Sequence, residues 1–235
     1  VDFESRYSPV NHQIREALQR GAIGRTICAD LRMKWYRAQE YYEGGMPGGW
    51  RSRRATEGGS LANQAVHYLD LIQWWLGPVT AVTGRKGTFG HFIETEDSSF
   101  SILQFESGAT GMLLTTTCSF PDLGTAIEIS GTRGTIAWKD QEIAFFKAMR
   151  APEGRAADPT GYVRPEFAAK PEPVDVRPSD YPVPEGLPGN IIEDMVSAIT
   201  TGRPVACDGY EGRKTVEIIE AVYRSSDTGQ TAWLR

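Results

Sequence analysis

The 235-residue sequence predicts an α+β fold, one large, mostly antiparallel open sheet with helices packed on one face. Three observations predict it. Residues 26–36 alternate apolar and polar side chains without a break. Six short strand-like runs then follow one another between 79 and 148, with only turn residues between them. Helical periodicity is confined to both ends of the chain and to one segment ahead of the strand run. Alternation at period two marks a strand with one buried face, and strands joined by short links form antiparallel hairpins. Helices set apart from a run of consecutive strands point to α+β and not to repeated βαβ units.

The elements follow in order. Ser8-Pro9 starts a helix, with Ser as cap and Pro at the first helical position. Val10, Ile14, Ala17 and Leu18 then recur at helical spacing, and Gly21 stops it. On the strand 26–36, Ile27, Ala29, Leu31, Met33 and Trp35 point one way; Cys28, Asp30, Arg32, Lys34 and Tyr36 point the other. Residues 37–59 have no period and are rich in Gly, the mark of a long loop, which inside a compact fold is commonly functional. Leu61, Ala65, Leu69, Ile72 and Leu76 form the apolar stripe of a helix over 60–76 that Gly77-Pro78 ends. Strands are expected at Val79–Thr88, Ser98–Phe105, Ala109–Cys118, Ala126–Ser130, Thr135–Trp138 and Glu142–Lys147, as an antiparallel meander. Residues 151–189 hold nine of the 14 Pro and read as an extended arm at about 150–189. Asn190 caps a helix with Ile192, Met195, Val196 and Ile199 on its apolar face, stopped by Gly202. A last helix at about 210–226 carries Val216, Ile219, Val222 and Tyr223, and Thr231–Leu234 makes a closing strand.

Composition narrows the function classes. At 40% hydrophobic and 23% charged residues the chain is ordinary globular material, and residues 1–235 read as one substrate-binding and oligomerisation domain. A net charge of −5 argues against a nucleic-acid binder, which presents a basic face. The three cysteines, Cys28, Cys118 and Cys207, form no CxxC pair, so neither a disulfide framework nor a cysteine zinc site is expected, and a reducing, cytoplasmic setting is the default. No run of apolar residues is long enough to span a membrane and no signal peptide is visible, though the chain starts at Val1 and an N-terminal part can precede it. None of the 25 glycines stand as G-x-G.

One constellation carries chemistry. Asn63, His67 and Asp70 are spaced i, i+4, i+7, which sets them on one helix face distinct from the Leu61/Ala65/Leu69 stripe. Imidazole is the natural general acid/base near neutral pH; Asn63 can orient a hydroxyl or the ring, and Asp70 can fix the ring from the other side. The alternative is a surface histidine simply satisfied by Asp70. A metal site is not expected: His67 and Asp70 supply two ligands, and His12 and His91 show no ligand spacing. Arg51, Arg53 and Arg54 beside Trp50 can hold an anionic or polyol ligand or form a solvated basic loop. Glu94, Glu96 and Asp97 resemble a metal or acid/base cluster, with alternating exposure on a strand or turn as the favoured reading, and Gly131-Thr132-Arg133-Gly134 is read as a hairpin turn.

The string Gly58-Gly59-x3-Asn63-x3-His67-x2-Asp70 closely resembles the signature helix of the glucose–fructose oxidoreductase / inositol dehydrogenase / rhizopine-catabolism (Gfo/Idh/MocA) family. Arg6-Tyr7-Ser8-Pro9-x-Asn11, Leu76-Gly77-Pro78-Val79, Glu94-x-Glu96-Asp97, Phe105-x2-Gly108, Gly131-Thr132-x-Gly134, Thr201-Gly202-Arg203-Pro204 and Ala221-x-Tyr223-x-Ser225 resemble further family landmarks in the same order. The resemblance implies that family's C-terminal domain, of the glyceraldehyde-3-phosphate dehydrogenase C-terminal type, and an NAD(P)-dependent oxidoreductase acting on a sugar, cyclitol or related polyol. It implies that NAD or NADP is held mainly by an N-terminal Rossmann domain absent from this chain, which also lacks the family's Glu-Lys-Pro motif. By the same resemblance His67 matches the acid/base, Asn63 stands where Asp is common, and Tyr36, Arg37, Trp50 and Arg51 line the sugar side of the pocket. The expected partners are a small polyol or sugar substrate and further copies of the chain, as dimer or tetramer through the open sheet face, with no nucleic acid and no membrane. Two alternatives use the same residues: a non-catalytic domain binding a carbohydrate-like ligand or a protein, and an oxidation-assisted glycosidase.

Overall fold

In the computed structural model, which describes residues 1–149 and 173–234, helix α1 (Pro9–Gln19) precedes strand β1 (Thr26–Lys34). A short helix α2 (Gln39–Glu43) lies in the following loop, and a π-type turn (Ser60–Gln64) leads into α3 (Val66–Leu76). Then come β2 (Val79–Gly87), β3 (Ser98–Phe105), β4 (Thr110–Thr116), β5 (Gly124–Gly131), β6 (Gly134–Lys139), β7 (Glu142–Met149) and β8 (Pro173–Asp175). Helices α4 (Ile191–Thr201) and α5 (Gly209–Thr228) and strand β9 (Ala232–Trp233) close the chain. The expected proline-rich arm lies largely outside the described residues; of it, Pro173–Asp175 adds a strand to the sheet edge.

The described strands form one nine-stranded sheet in the order β8-β7-β6-β5-β1-β4-β3-β2-β9. The expected strand positions are found within a residue or two, but the meander is interrupted. β1 inserts between β4 and β5, parallel to β4 and antiparallel to β5. Residues 117–123 therefore do not turn a hairpin. They step across β1, two strand spacings or roughly 10 Å. A parallel pair needs a long crossover, and here the whole segment from the 37–59 loop through β3 supplies it.

Alternation decides the two faces. Ala29, Leu31 and Met33 of β1, Leu113 of β4, Ile127 and Ile129 of β5, and Ile136 and Trp138 of β6 are buried under the helices, against Ile14, Leu69, Ile72, Trp75, Ile218 and Val222. Asn11, fully buried, ties this layer together. Its side-chain oxygen accepts from Trp138 Nε1 at 2.9 Å, its backbone carbonyl accepts from Trp75 Nε1 at 3.0 Å, and its own amide donates to the Ser5 carbonyl at 2.8 Å. Every buried polar atom needs such a partner. Among the described residues the far face of the sheet carries no helix, and it exposes Phe100, Ile102 and Met112.

Three expected faces turn out otherwise. Ile27 is exposed, because a bulge between Thr26 and Cys28 breaks the period-two register at the start of β1. In α4 the cap and stop are as expected: the Asn190 side chain accepts from the amides of Ile192 and Glu193, and Gly202 adopts a left-handed conformation. Yet Ile192, Met195, Val196 and Ile199 face outward; Asp194 and Ala198 are the buried pair. The inward anchor is polar. Asp194 pairs with Arg203 at 2.6 Å and accepts from Tyr7 Oη at 3.0 Å and from the Ala206 amide at 2.8 Å. In α5, Val216 is exposed, while Thr215, Ile218, Ala221 and Val222 face inward. No helix among the described residues is long and apolar enough to cross a membrane.

Candidate active site

The segment that leaves β1 folds back toward α3 through its aromatic residues. Tyr42 is buried and its hydroxyl shares a hydrogen bond with Thr117 Oγ1 at 2.7 Å. Tyr41, next to it, turns the other way and accepts hydrogen bonds from Asn63 Nδ2 at 3.3 Å and Gln64 Nε2 at 3.1 Å. Two guanidinium groups stack near its ring: Arg37 at 5.5 Å and Arg51 at 4.8 Å from the centroid. Arg37 also lies over Trp35 at 4.9 Å, and Arg51 over Trp50 at 4.4 Å. Gly45 makes this packing possible. Its φ is +89°, and a Cβ there would collide with the Trp50 indole nitrogen and stand 2.9 Å from Arg51 Nη1.

Asn63 and Gln64 are presented by the π-type turn, whose start is fixed by Glu96, two residues before β3. Glu96 is buried; its backbone carbonyl accepts from the Ser60 amide at 2.9 Å and its side chain from the Leu61 amide at 2.9 Å. Tyr223 Oη donates to the other carboxyl oxygen at 3.0 Å. Burial pushes the Glu96 carboxyl above its ordinary range, against the pull of these hydrogen bonds. Glycine is required at position 59 because a Cβ there would overlap the Glu96 carbonyl and carboxyl. At position 58 the obstacle is Ala62, whose Cβ a side chain there would overlap, so the two glycines answer to two different neighbours.

The sequence places Asn63, His67 and Asp70 on one face; the structure separates their tasks. The π-type turn holds more residues than an α-turn, so the helical phase slips at Ala65, where α3 begins. Asn63 bonds to Tyr41 and makes no hydrogen bond to His67. His67 is half-buried and edge-on to Phe3, with ring centroids 5.9 Å apart, and its Nδ1 is buried without a partner among the described residues. Asp70 does not fix the His67 ring. It is fully buried and grips Arg6 through both oxygens, Nε–Oδ2 and Nη2–Oδ1 each at 2.8 Å, and Thr215 Oγ1 donates to Oδ1 at 3.2 Å. An ion needs an ion when it is taken out of water, and Asp70 finds one in the N-terminal segment.

Of the expected sugar-side residues, the structure brings Arg37, Trp50 and Arg51 together around Tyr41. Tyr36 departs from them. It is exposed and edge-on to Phe120 at 5.3 Å, because β-alternation sends it opposite to Trp35 and Arg37. Sequence reasoning missed Tyr41 and Gln64. Tyr41 lies in the short helix α2 and Gln64 in the π-type turn, neither long enough to show in the hydrophobic period of the sequence, and the one available signal was the Tyr41-Tyr42 pair in a glycine-rich loop. A groove of about 750 Å³ reaches the same turn from the α5 side, lined by Gly58, Ala62, Val66, Glu96 and Tyr223; Arg54 also lines it, whereas His67, Asn63, Arg37 and Arg51 do not.

His91 lacks ligand spacing in the sequence, yet the fold brings it against Asp97 and Cys118. Nδ1 of His91 is 3.1 Å from Asp97 Oδ2 and 3.6 Å from Cys118 Sγ. The carboxylate is already occupied. It accepts from the amides of Phe89, Gly90 and His91, and burial, which would raise its pKa, is outweighed by those donors so that it lies below the usual range. Burial also pushes the Cys118 thiol up. His91, Asp97 and Cys118 thus come within ligand distance of one another although their spacing in the sequence does not announce it, and in this structure their contacts clasp the loop. The clasp acts on the site, since His91 Nε2 donates to the Arg37 carbonyl at 2.7 Å and pins the backbone that carries Arg37.

Comparison with known proteins gives this architecture its family. A family model described as "Oxidoreductase family, C-terminal alpha/beta domain" matches residues 15–234. A D-apiose dehydrogenase of Paraburkholderia graminis is 24% identical over 237 residues, covering 98% of this chain and 57% of the relative. The WlbA dehydrogenase from Bordetella pertussis, solved in complex with NADH and UDP-GlcNAcA, superposes with a TM-score of 0.77 at 24% identity over 99% of this chain and 62% of its own. A levoglucosan dehydrogenase solved with NADH and L-sorbose superposes at 0.74 with 18% identity, over 99% and 65%. The chain therefore spans about three fifths of the length of these relatives. With the sheet order, the Gly58-Gly59 turn and the family match all in place, the chain belongs to the Gfo/Idh/MocA oxidoreductase family, as its C-terminal alpha/beta domain.

Proposed function

We propose that this chain is the substrate-binding and proton-transferring half of an NAD(P)-dependent oxidoreductase acting on a sugar, cyclitol or related polyol, with His67 as its acid/base. The observation that carries this reading is the buried, partnerless Nδ1 of His67 on the helix that follows the Gly58-Gly59 turn. A buried ring nitrogen without a partner is costly and rare in a native fold, and one at a site is accounted for when a ligand completes it. Asn63 and Gln64 beside it are amides. They can hold hydroxyl groups of a polyol but cannot take a proton, which leaves His67 to receive the hydroxyl proton as a carbonyl forms. The relatives that share the fold, D-apiose and levoglucosan dehydrogenases among them, support sugars as the substrate class.

These residues do not by themselves fit a nicotinamide dinucleotide. The chain has no G-x-G with which to seat a pyrophosphate. The N-termini of α4 and α5, which could otherwise receive a phosphate, are filled by the side chains of Asn190 and Asp208. The cofactor is therefore assigned to a Rossmann domain outside this chain, and Asp70, Tyr36 and the remaining expected residues are given no part in holding it.

The uncovered sheet face supports self-association in the same reading. Phe100, Ile102 and Met112 are exposed there and line a shallow apolar hollow of about 450 Å³. Such a patch is what one copy of a chain buries against another. Ile102→Glu should shift the full-length protein to a smaller species in size-exclusion chromatography with light scattering; an unchanged mass would remove this face from the interface.

The test of the function itself is direct. The full-length protein, incubated with NAD or NADP and a panel of aldoses, cyclitols and polyols, should reduce the nicotinamide with at least one of them. If no member of the panel supports reduction of either cofactor, the reading is lost.

A further inference from the structure

Two cations, Arg37 and Arg51, stand beside the polyol-binding amides. Acidic side chains outnumber basic ones, 30 to 25, yet neither Arg37 nor Arg51 joins an ion pair among the described residues. Arg37 spends one N–H on the Tyr36 carbonyl at 2.9 Å. Arg51 donates no hydrogen bond among the described residues, and although its charge pulls the Glu57 carboxyl down, burial outweighs that pull and holds this carboxyl above its ordinary range.

The geometry of the pair is selective. Each guanidinium lies over two aromatic rings, Trp35 and Tyr41 for Arg37, Tyr41 and Trp50 for Arg51. Stacking holds a guanidinium by its face and leaves its N–H edge free, and that edge matches the two oxygens of a carboxylate or phosphate. Tyr41 adds a third donor. Its hydroxyl already accepts from Asn63 and Gln64, so its own proton has to be given to an acceptor elsewhere. Gln64, nine-tenths buried, keeps its Oε1 without a partner beside that hydroxyl. The outward donors therefore belong to the two arginines and the tyrosine, and a group that only accepts is what they fit.

We propose that Arg37, Arg51 and Tyr41 form a subsite for an oxyanion, a carboxylate or phosphate carried by the sugar that this site takes. The proposal rests on the sugar-oxidoreductase reading and adds charge to its substrate. Gly45 is part of the subsite's construction, since only a residue without Cβ allows Trp50 and Arg51 to pack as they do.

Equilibrium binding to the full-length protein by titration calorimetry tests it, with D-glucuronate, D-glucose 6-phosphate and D-glucose as the three probes. At least one oxyanion sugar should bind about tenfold or more tighter than glucose, the scale of a charged hydrogen bond. That advantage should largely vanish in Arg51→Gln and in Arg37→Gln, with the melting temperature of each variant close to that of the parent. Arg53→Gln, an exposed neighbour outside the aromatic stack, should keep it. A preference for glucuronate assigns a carboxylate and a preference for glucose 6-phosphate assigns a phosphate. The proposal is overturned if neither oxyanion probe outbinds glucose, if the preference survives both substitutions, or if Arg53→Gln removes it equally. Because binding is read without turnover, a failure of all sugars to reduce NAD(P) would count against the oxidoreductase reading and leave this result standing on its own.

Discussion

Asp70→Ala should lower the folding free energy of this chain by about 3–5 kcal/mol, the largest single-residue loss expected outside the apolar core. Arg6 and Asp70 are 3% and 0% exposed and meet in a bidentate pair. Burial works against the Arg6 charge, but the hydrogen bonds and charge of Asp70 more than offset it, and the guanidinium is held above its ordinary pKa. Removing Asp70 leaves that cation buried with only Glu211 in reach, at 3.1 Å and itself partly exposed, and leaves the Thr215 hydroxyl without its acceptor. Three segments come apart together, because Arg6, Asp70 and Thr215 belong to the N-terminal segment, α3 and α5. Urea unfolding with an unchanged slope should show the lower midpoint. Replacing both ends, Arg6→Met with Asp70→Leu, should recover most of the loss, since the large cost belongs to the unpaired ion and not to the absence of the pair. A loss below about 1 kcal/mol for Asp70→Ala would mean that water or Glu211 already satisfies Arg6.

The same residue shows where sequence reading stops. Asp70 lies seven positions after Asn63, so helical spacing assigns it to the site; its actual partner is 64 residues away, and no local pattern announces it. The strands were readable because alternation and turn residues are local signals, and each of the six expected runs is a strand. Their pairing was not, since the insertion of β1 between β4 and β5 depends on contacts between distant segments. Likewise, amphipathicity identifies α4 as a helix without saying which face meets the protein, and there the polar Asp194 faces in. In the site, Gly58-Gly59 and His67 stand out as residue types, whereas Tyr41 matters only because the fold brings two arginines and two amides to its ring. Family resemblance groups Tyr36, Arg37, Trp50 and Arg51, which spacing could not; the fold gathers the last three near the Tyr41 ring and sets Tyr36 apart against Phe120.

His67→Ala in the full-length protein should reduce kcat/KM by about 10²–10⁴-fold, equivalent to roughly 3–5 kcal/mol of transition-state stabilisation. The loss should fall on kcat with KM little changed, because a proton moved in the chemical step is an interaction of the transition state and not of substrate binding. Folding is not at stake. The ring is half-buried, and its one aromatic contact is the edge-to-face approach of Phe3, worth about 0.5–1.5 kcal/mol, so the variant should keep its oligomeric state and its affinity for sugar. Activity near that of the parent would take His67 out of proton transfer. The upper part of the range is expected for a structural reason. Asn63 and Gln64, the nearest polar groups on the same segment, are amides bonded to Tyr41, and Asp70, the one carboxylate on α3, is locked to Arg6. No carboxylate on that segment is free to take over the proton when the imidazole is gone.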